Sequence, residues 1–283
     1  MNTLTLKSPA KINFFLEVLK KRKDGFHQIQ TVFQAINLYD SICIKKSRRN
    51  GIFIKTNCKQ LPIDGRNLAY KAAHILRQRY DLKGVEIIIN KKIPLASGLG
   101  GGSSNAATVL MGMNKLWKLG IGSTQLCRIS SQLGSDVSFF ISKYASALGE
   151  GRGEILEPLN LPRYWFLLIL PNFGLSSKKI YSGLRLNLTR KNKNARMLIH
   201  VLKKKDITQI AKKLYNRLEE RALSESPLIK KIKQALKTAG LKAVLMSGSG
   251  PTVFALTLVR KEAIEAKEHL RAVGWHMRVV RSL

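Results

Sequence analysis

The segment KIPLASGLGGGSSNAAT (92–108) constrains this chain more than any other. It follows an apolar run, VEIIINKKIP (85–94), which reads as a strand stopped by Pro94. After the glycines, Ala106, Val109, Leu110, Met113 and Trp117 recur at helical spacing, so a helix is predicted from Ser103. Strand, glycine turn and helix start, in that order, form an anion nest. Glycines turn successive backbone N–H groups inward without a Cβ clash. The helix adds its positive end and its unpaired first-turn amides. Ser103 and Ser104 add hydroxyls suited to a phosphate oxygen or a magnesium ion. A loop with apolar flanks on both sides is no linker, so phosphate binding is favoured over a flexible hinge.

Several phosphate-binding signatures are excluded. A Walker A loop needs a Lys directly after its last glycine, and the chain contains no Gly-Lys pair. A dinucleotide fingerprint needs a third glycine where Ser103 stands. The protein-kinase triplets HRD and DFG are absent, as is a GxSxG nucleophile elbow.

Charge points the same way without deciding it. Fifty Lys and Arg against 17 Asp and Glu give a formal charge of +33 over 283 residues. Such a field attracts polyanions, whether nucleic acid, anionic lipid or a phosphorylated small molecule. The basic residues occur along nearly the whole chain, which is the pattern of a compositional bias over a solvated surface. The segment 158–205 contains no acid, and RKNKNAR (190–196) and KKK (203–205) are its densest runs. Three widely spaced cysteines, Cys43, Cys58 and Cys127, form no CxxC pair and imply neither a disulfide framework nor a zinc site. The N-terminus lacks a signal-peptide core, and the longest apolar run, YWFLLIL (164–170), is too short to span a bilayer. These features predict a cytoplasmic protein with no membrane partner.

The periodicity predicts mixed strands and helices. TLTLKSPAKINFFLEVLKK reads as a strand continuing into a pairing strand, DGFHQIQT (24–31) as a turn, and DSICIKK and GIFIKT as short strands. NLAYKAAHILRQRY (67–80) reads as a helix, and another over 124–133 ends at Gly134 as C-cap. GEGRGE (149–154) is a glycine-rich turn. Beyond it lie the 164–170 strand, helices near 206–222 and 226–239, and a strand–turn–strand around MSGSGPT. A helix at 260–272 and a last strand, HMRVVRS, follow. A composition break near residue 155 marks the expected domain boundary.

Three separated segments, SPAKINFFLEV (8–18), IPLASGLGGGSSNAA (93–107) and SGSGPTVFAL (247–256), resemble the three motifs of the GHMP kinase superfamily. NLAYKAA, LGSDVSFF and GEGRGE strengthen the resemblance, which runs in order along almost the whole chain and is weakest over 185–235. It implies an α+β, two-domain fold, with a ribosomal S5 domain 2-like half over 1–154 and a C-terminal α/β sandwich over 155–283. It implies ATP and Mg2+ as cofactors and transfer of the γ-phosphoryl group to a hydroxyl. Within the superfamily the detail resembles the branch acting on a cytidine diphosphate polyol.

The resemblance also assigns roles. Asp136 becomes the base and Lys11 its neighbour, able to polarise the hydroxyl or the transferring phosphoryl group. Asn67, Leu68, Lys91 and Pro94 match positions around the adenine. Gly98, Leu99, Gly100, Gly101, Gly102, Ser103 and Ser104 wrap the phosphates, with Ser104 as the magnesium ligand. Asn13 contacts substrate or holds Asp136. Phe26, His27 and Tyr181 face the cytosine, while Gly151 and Arg152 reach the substrate diphosphate. Gly248, Ser249 and Gly250 of the third motif close over the reacting centre. Alone, Asp136 reads as a helix N-cap, Asn67 equally as a cap, and His27 as a turn residue. The rival readings are another GHMP small-molecule kinase and, from the charge, a nucleic-acid-binding protein. The latter is disfavoured because no RNA-binding aromatic motif or recognition helix occurs. Oligomeric state stays open.

Overall fold

A computed structural model describes residues 2–184 and 194–283, so most of the basic run 190–196 lies outside the described residues. Helices and sheets both contribute, as expected for the α+β class. The chain forms two compact units. The first comprises Met1–Ala10, Leu38–Leu95 and Gly100–Tyr144, and the second Lys11–Asn37, Ala96–Leu99 and Ala145–Leu283. The break expected at residue 155 follows sequence order, whereas these units interleave. The reason is strand length. The expected pair of strands at the N-terminus is one 19-residue strand, β1 (Thr3–Lys21). DSICIKK is the end of a 20-residue strand, β2 (His27–Lys46), rather than a strand of its own. Each of these strands gives residues to both units.

In the first unit β2 pairs antiparallel with β4 (Gly84–Asn90), which runs parallel to β3 (Gly51–Thr56). Register sets Ile42 opposite Ile89 and Ile44 opposite Ile87, and all four are fully buried. Strand periodicity makes them one apolar face. Helix α1 (Leu68–Tyr80) packs on α2 (Gly101–Trp117) through small residues, with Ala69, Ala72, Ala73, Ala106 and Ala107 all at zero exposure. Short helices α3 (Ser123–Ser130) and α4 (Val137–Ser142) follow. The expected helix 124–133 therefore ends three residues early, with right-handed Ser131 as its C-cap. Gly134 instead accepts a turn hydrogen bond from Val137 N–H (3.2 Å).

In the second unit β2 pairs antiparallel with β5 (Ser146–Glu150), which pairs with β6 (Ile155–Pro158). The apolar run 164–170 is the strand β7 (Trp165–Ile169) at the heart of a second sheet. Helices α5 (Ser177–Ser182), α6 (Ala195–Lys204) and α7 (Ile207–Lys213) come next. A two-residue strand, β8 (Tyr215–Asn216), pairs parallel with β1 and divides the helix expected over 206–222. Helices α8 (Glu219–Glu225) and α9 (Pro227–Thr238) lead to β9 (Ala243–Met246) and β10 (Val253–Thr257). Helix α10 (Arg260–His269) and β11 (Met277–Arg281) complete the chain, and the second sheet has the order β11-β7-β10-β9. Both faces of β7 are covered. Leu167 and Ile169 join Ile229, Ile232, Ala263 and Ala266, whereas Phe166 meets Phe14 and Phe254 ring to ring.

Candidate active site

Within the second unit, segments from all three sequence motifs meet. Lys11 and Asn13 are two apart on β1, so their side chains share a face. The Lys11 ammonium donates to Asn13 Oδ1 at 2.7 Å, and Asn13 Nδ2 donates to Thr31 Oγ1 at 2.8 Å. The Lys11 main-chain N–H donates to the carbonyl of Leu99 (3.0 Å), which ties the first motif to the second. Ser247 Oγ donates to the Gly98 carbonyl (3.0 Å) and Thr252 N–H to that of Ser97 (3.3 Å), which tie the second to the third.

Two glycines make this convergence possible. Gly98 (φ +78°) has the Ser247 carbonyl oxygen 2.1 Å from where a Cβ would stand. A Cβ on Gly248 (φ +53°) would be 2.9 Å from the Gly98 oxygen, 3.2 Å from Lys11 Nζ and 3.3 Å from Asn13 Oδ1. A side chain at Gly98 would push the second motif off the third, and one at Gly248 would crowd the third against both others. Sequence reading missed Asn216, which clamps the third motif from behind. Its amide donates to the carbonyls of Met246 and Gly248, both at 2.8 Å, and its Oδ1 accepts from Leu218 N–H. The Ser249 hydroxyl is bonded to that of Ser177 at 2.8 Å.

At residue 100 the glycine segment passes into the first unit. Gly100 is a left-handed N-cap (φ +69°), and α2 begins at Gly101, two residues before the expected Ser103. The first intrahelical bond runs from Ser104 N–H to the Gly100 carbonyl, so the amides of 101–103 precede the ladder. Ser104 itself is fully buried, and its hydroxyl bonds to that of Ser8 at 2.7 Å.

Behind this turn lies a polar cluster that the sequence did not announce. Asp40 is buried and ion-paired with Lys91. Its Oδ1 accepts from the main-chain amides of Lys92 (2.7 Å) and Ile93 (2.9 Å), and its Oδ2 from Asn105 Nδ2 (2.9 Å). Asn105 Nδ2 also reaches Ser8 Oγ at 2.9 Å. One carboxylate thus fixes the segment entering the glycine turn and the first turn of α2. The Lys91 side chain, expected beside a nucleotide, is 5% exposed and spent on Asp40. Lys91, with Lys92, Pro94, Asn57 and Gln60, lines a cavity of about 420 Å³. Asn67 caps α1, accepting from Ala69 N–H at 2.9 Å and donating to the Pro62 carbonyl at 2.7 Å, and Leu68 opens that helix half-buried.

The expected cytosine-binding residues cluster in the second unit. The rings of His27 and Tyr181 lie 5.3 Å apart and 30° from parallel, and the Arg152 guanidinium sits 4.6 Å above the exposed Phe26 ring. Arg152 is also bonded through its side chain to Glu154 (3.4 Å). Gly151 accepts from Ile29 N–H at 2.7 Å, which joins the 149–154 turn to the start of β2. Burial, with Lys21 nearby, lowers the His27 pKa below its ordinary value, so the imidazole is neutral at neutral pH. Flat faces with an adjoining cation suit a planar base bearing phosphate. Asp136 lies in the first unit as the N-cap residue of α4, without a side-chain cap bond. Among the described residues no three His, Cys, Asp or Glu side chains group as a metal site.

Comparison with known proteins bears on the same segments. The family model for the GHMP kinases N terminal domain matches residues 67–144, and that for the GHMP kinases C terminal matches 198–274. A 4-diphosphocytidyl-2-C-methyl-D-erythritol kinase of Alkaliphilus oremlandii is 40% identical over 273 residues, covering 95% of this chain and 93% of that protein. The crystal structure of a 4-(cytidine 5'-diphospho)-2C-methyl-D-erythritol kinase superposes with a TM-score of 0.83 at 30% identity, over 99% of this chain and all of the other. A homoserine kinase from Cytophaga hutchinsonii shares the fold, with a TM-score of 0.75 at 19% identity, covering 100% and 95% of the two chains.

Proposed function

The chain belongs to the GHMP kinase family, and we propose that it transfers the γ-phosphoryl group of ATP to the C2 hydroxyl of 4-diphosphocytidyl-2-C-methyl-D-erythritol. This is a step of the non-mevalonate isoprenoid pathway, carried out in the cytoplasm. One observation carries the reading: Lys11 of the first motif and Gly98 of the second both crowd the space beside Gly248 of the third, where a Cβ would stand 3.2 Å from Lys11 Nζ and 2.9 Å from the Gly98 oxygen. Phosphoryl transfer asks for positioning and for cationic groups around the equatorial oxygens, with little covalent work by the protein.

In this mechanism the amides of 101–103 at the start of α2 cradle the phosphates. The Lys11 ammonium stabilises charge on the transferring group. Asp136 orients or deprotonates the attacking hydroxyl. Asn67, Leu68, Pro94 and the main chain at Lys91 surround the adenine. Phe26, neutral His27 and Tyr181 hold the cytosine, and Arg152 beside Gly151 meets the diphosphate. Gly248, Ser249 and Gly250 close the turn around the reacting group.

Magnesium, as the companion of ATP, would neutralise phosphate charge. The donor set fits it poorly: Ser104, the ligand expected from sequence, is buried and bonded to Ser8, and no carboxylate cluster occurs among the described residues.

The aromatic and cationic face at Phe26, His27, Arg152 and Tyr181 favours an acceptor bearing a nucleobase over homoserine or mevalonate. ADP release in the presence of ATP and magnesium tests this. Turnover is expected with the cytidine-bearing acceptor alone. Turnover only with homoserine or mevalonate would contradict the acceptor, and no turnover with any of them, alongside tight salt-sensitive RNA binding, would contradict a kinase altogether.

A further inference from the structure

We propose that Thr31 is a positioning residue for phosphoryl transfer: its hydroxyl fixes which way the Asn13 carboxamide faces, and through it where the Lys11 ammonium stands. The proposal rests on the reading of Lys11 as a group of the reacting centre.

Donors and acceptors along this line allow one arrangement. A Thr hydroxyl has one proton to give. Thr31 Oγ1 lies 2.7 Å from the Phe15 carbonyl oxygen, which can only accept, so the proton is committed there. What remains on Thr31 are lone pairs. The Asn13 side chain, 2.8 Å away, must therefore present its NH2 to Thr31. An amide has one NH2 and one C=O, so Oδ1 faces the other way, 2.7 Å from the Lys11 ammonium, which can only donate. A flipped amide would set NH2 against NH3+ and leave Thr31 with a carbonyl it cannot satisfy.

Water offers no substitute along this line. Thr31 is fully buried, and Asn13 and Lys11 are 1% and 4% exposed. Buried polar groups without a partner are costly, so the chain of bonds behaves as a unit. Its far end is the third-motif turn, where Asn13 Oδ1 and Lys11 Nζ both lie close to the position a Gly248 Cβ would take. Thr31 touches neither nucleotide nor acceptor in this account. It acts by denying Asn13 its second orientation.

The test uses the full-length enzyme. Thr31→Val keeps the shape and strand preference but removes the hydroxyl, and Thr31→Ser keeps the hydroxyl. Thr31→Val is expected to lower kcat by about 10- to 100-fold, as a small misplacement of a reacting group does. Both KM values should stay within about threefold. Thr31→Ser should restore kcat to near wild type. In a Lys11→Met background Thr31→Val should lower kcat no further, although its effect on Tm persists, because the hydroxyl works through Lys11. If Thr31→Val does not fold, Thr31→Ala gives the same readout without added bulk. A kcat within twofold of wild type, or the same fractional loss in the Lys11→Met background, would overturn the proposal while leaving Lys11 in its role. Wild-type kcat in Lys11→Met alone would instead remove the reading on which the proposal stands.

Discussion

Asp136 is proposed as the base and Lys11 as the cation for the transferring group, and a single substitution separates the Asp136 proposal from a capping role. Asp136 opens α4 without a side-chain bond to the helix amides, so its carboxylate is not serving as a cap. Replacement by Asn keeps the size and removes the charge. Asp136→Asn is expected to bind ATP as the wild type does and to lose about 10²–10⁴-fold in kcat, the range for general-base assistance. Rapid-quench turnover with an ATP titration checks it, and an unimpaired rate would rule out the base. At this scale the sequence was uneven. Lys11 and Asn13 were legible only through the resemblance of SPAKINFFLEV (8–18) to the first GHMP motif. Thr31 was not, because DGFHQIQT (24–31) reads as a turn, whereas β2 already begins at His27 and carries Thr31 in the strand.

The element that most needs explaining is the glycine turn. Its conformation is held from behind by Asp40, whose carboxylate gathers Lys91, the amides of Lys92 and Ile93, and Asn105. Removing one member of a buried pair leaves the other charge uncompensated, at a cost of about 3–5 kcal/mol. Asp40→Leu should therefore lower Tm and raise KM for ATP more than KM for the acceptor. The double variant Asp40→Leu/Lys91→Met should recover much of the Tm, since two apolar groups of similar volume replace the pair. Thermal melts with steady-state kinetics check this. A double variant no more stable than Asp40→Leu would contradict it. The turn itself was readable from glycine spacing, but its support was not. Asp40 lies 51 residues before Lys91, and only pairing of β2 with β4 brings them together. The early start of α2 has a local cause, since Gly100 adopts the left-handed cap and releases Gly101 into the helix.

For the whole molecule, strand length outweighs sequence order. The expected boundary near residue 155 comes from a composition break, and β1 and β2, 19 and 20 residues long, each give residues to both compact units. Apolar periodicity reports the existence of a strand more readily than its ends, which are set by pairing with strands distant in sequence. The same logic hid β8, whose two residues break a helical pattern only through pairing with β1. Net charge of +33 supplies the long-range term: both proposed substrates are polyanions, so a basic field draws them in and needs no nucleic-acid partner to account for it. The central claim, phosphoryl transfer to the C2 hydroxyl, is a claim about one new bond. It is tested most directly by the 31P spectrum of the product. C2 bears the methyl group and no hydrogen, so the account predicts a new phosphomonoester resonance without three-bond proton coupling across the ester carbon, beside an intact diphosphate. A phosphomonoester signal split by protons on its ester carbon, as at C1 or C3, would contradict it.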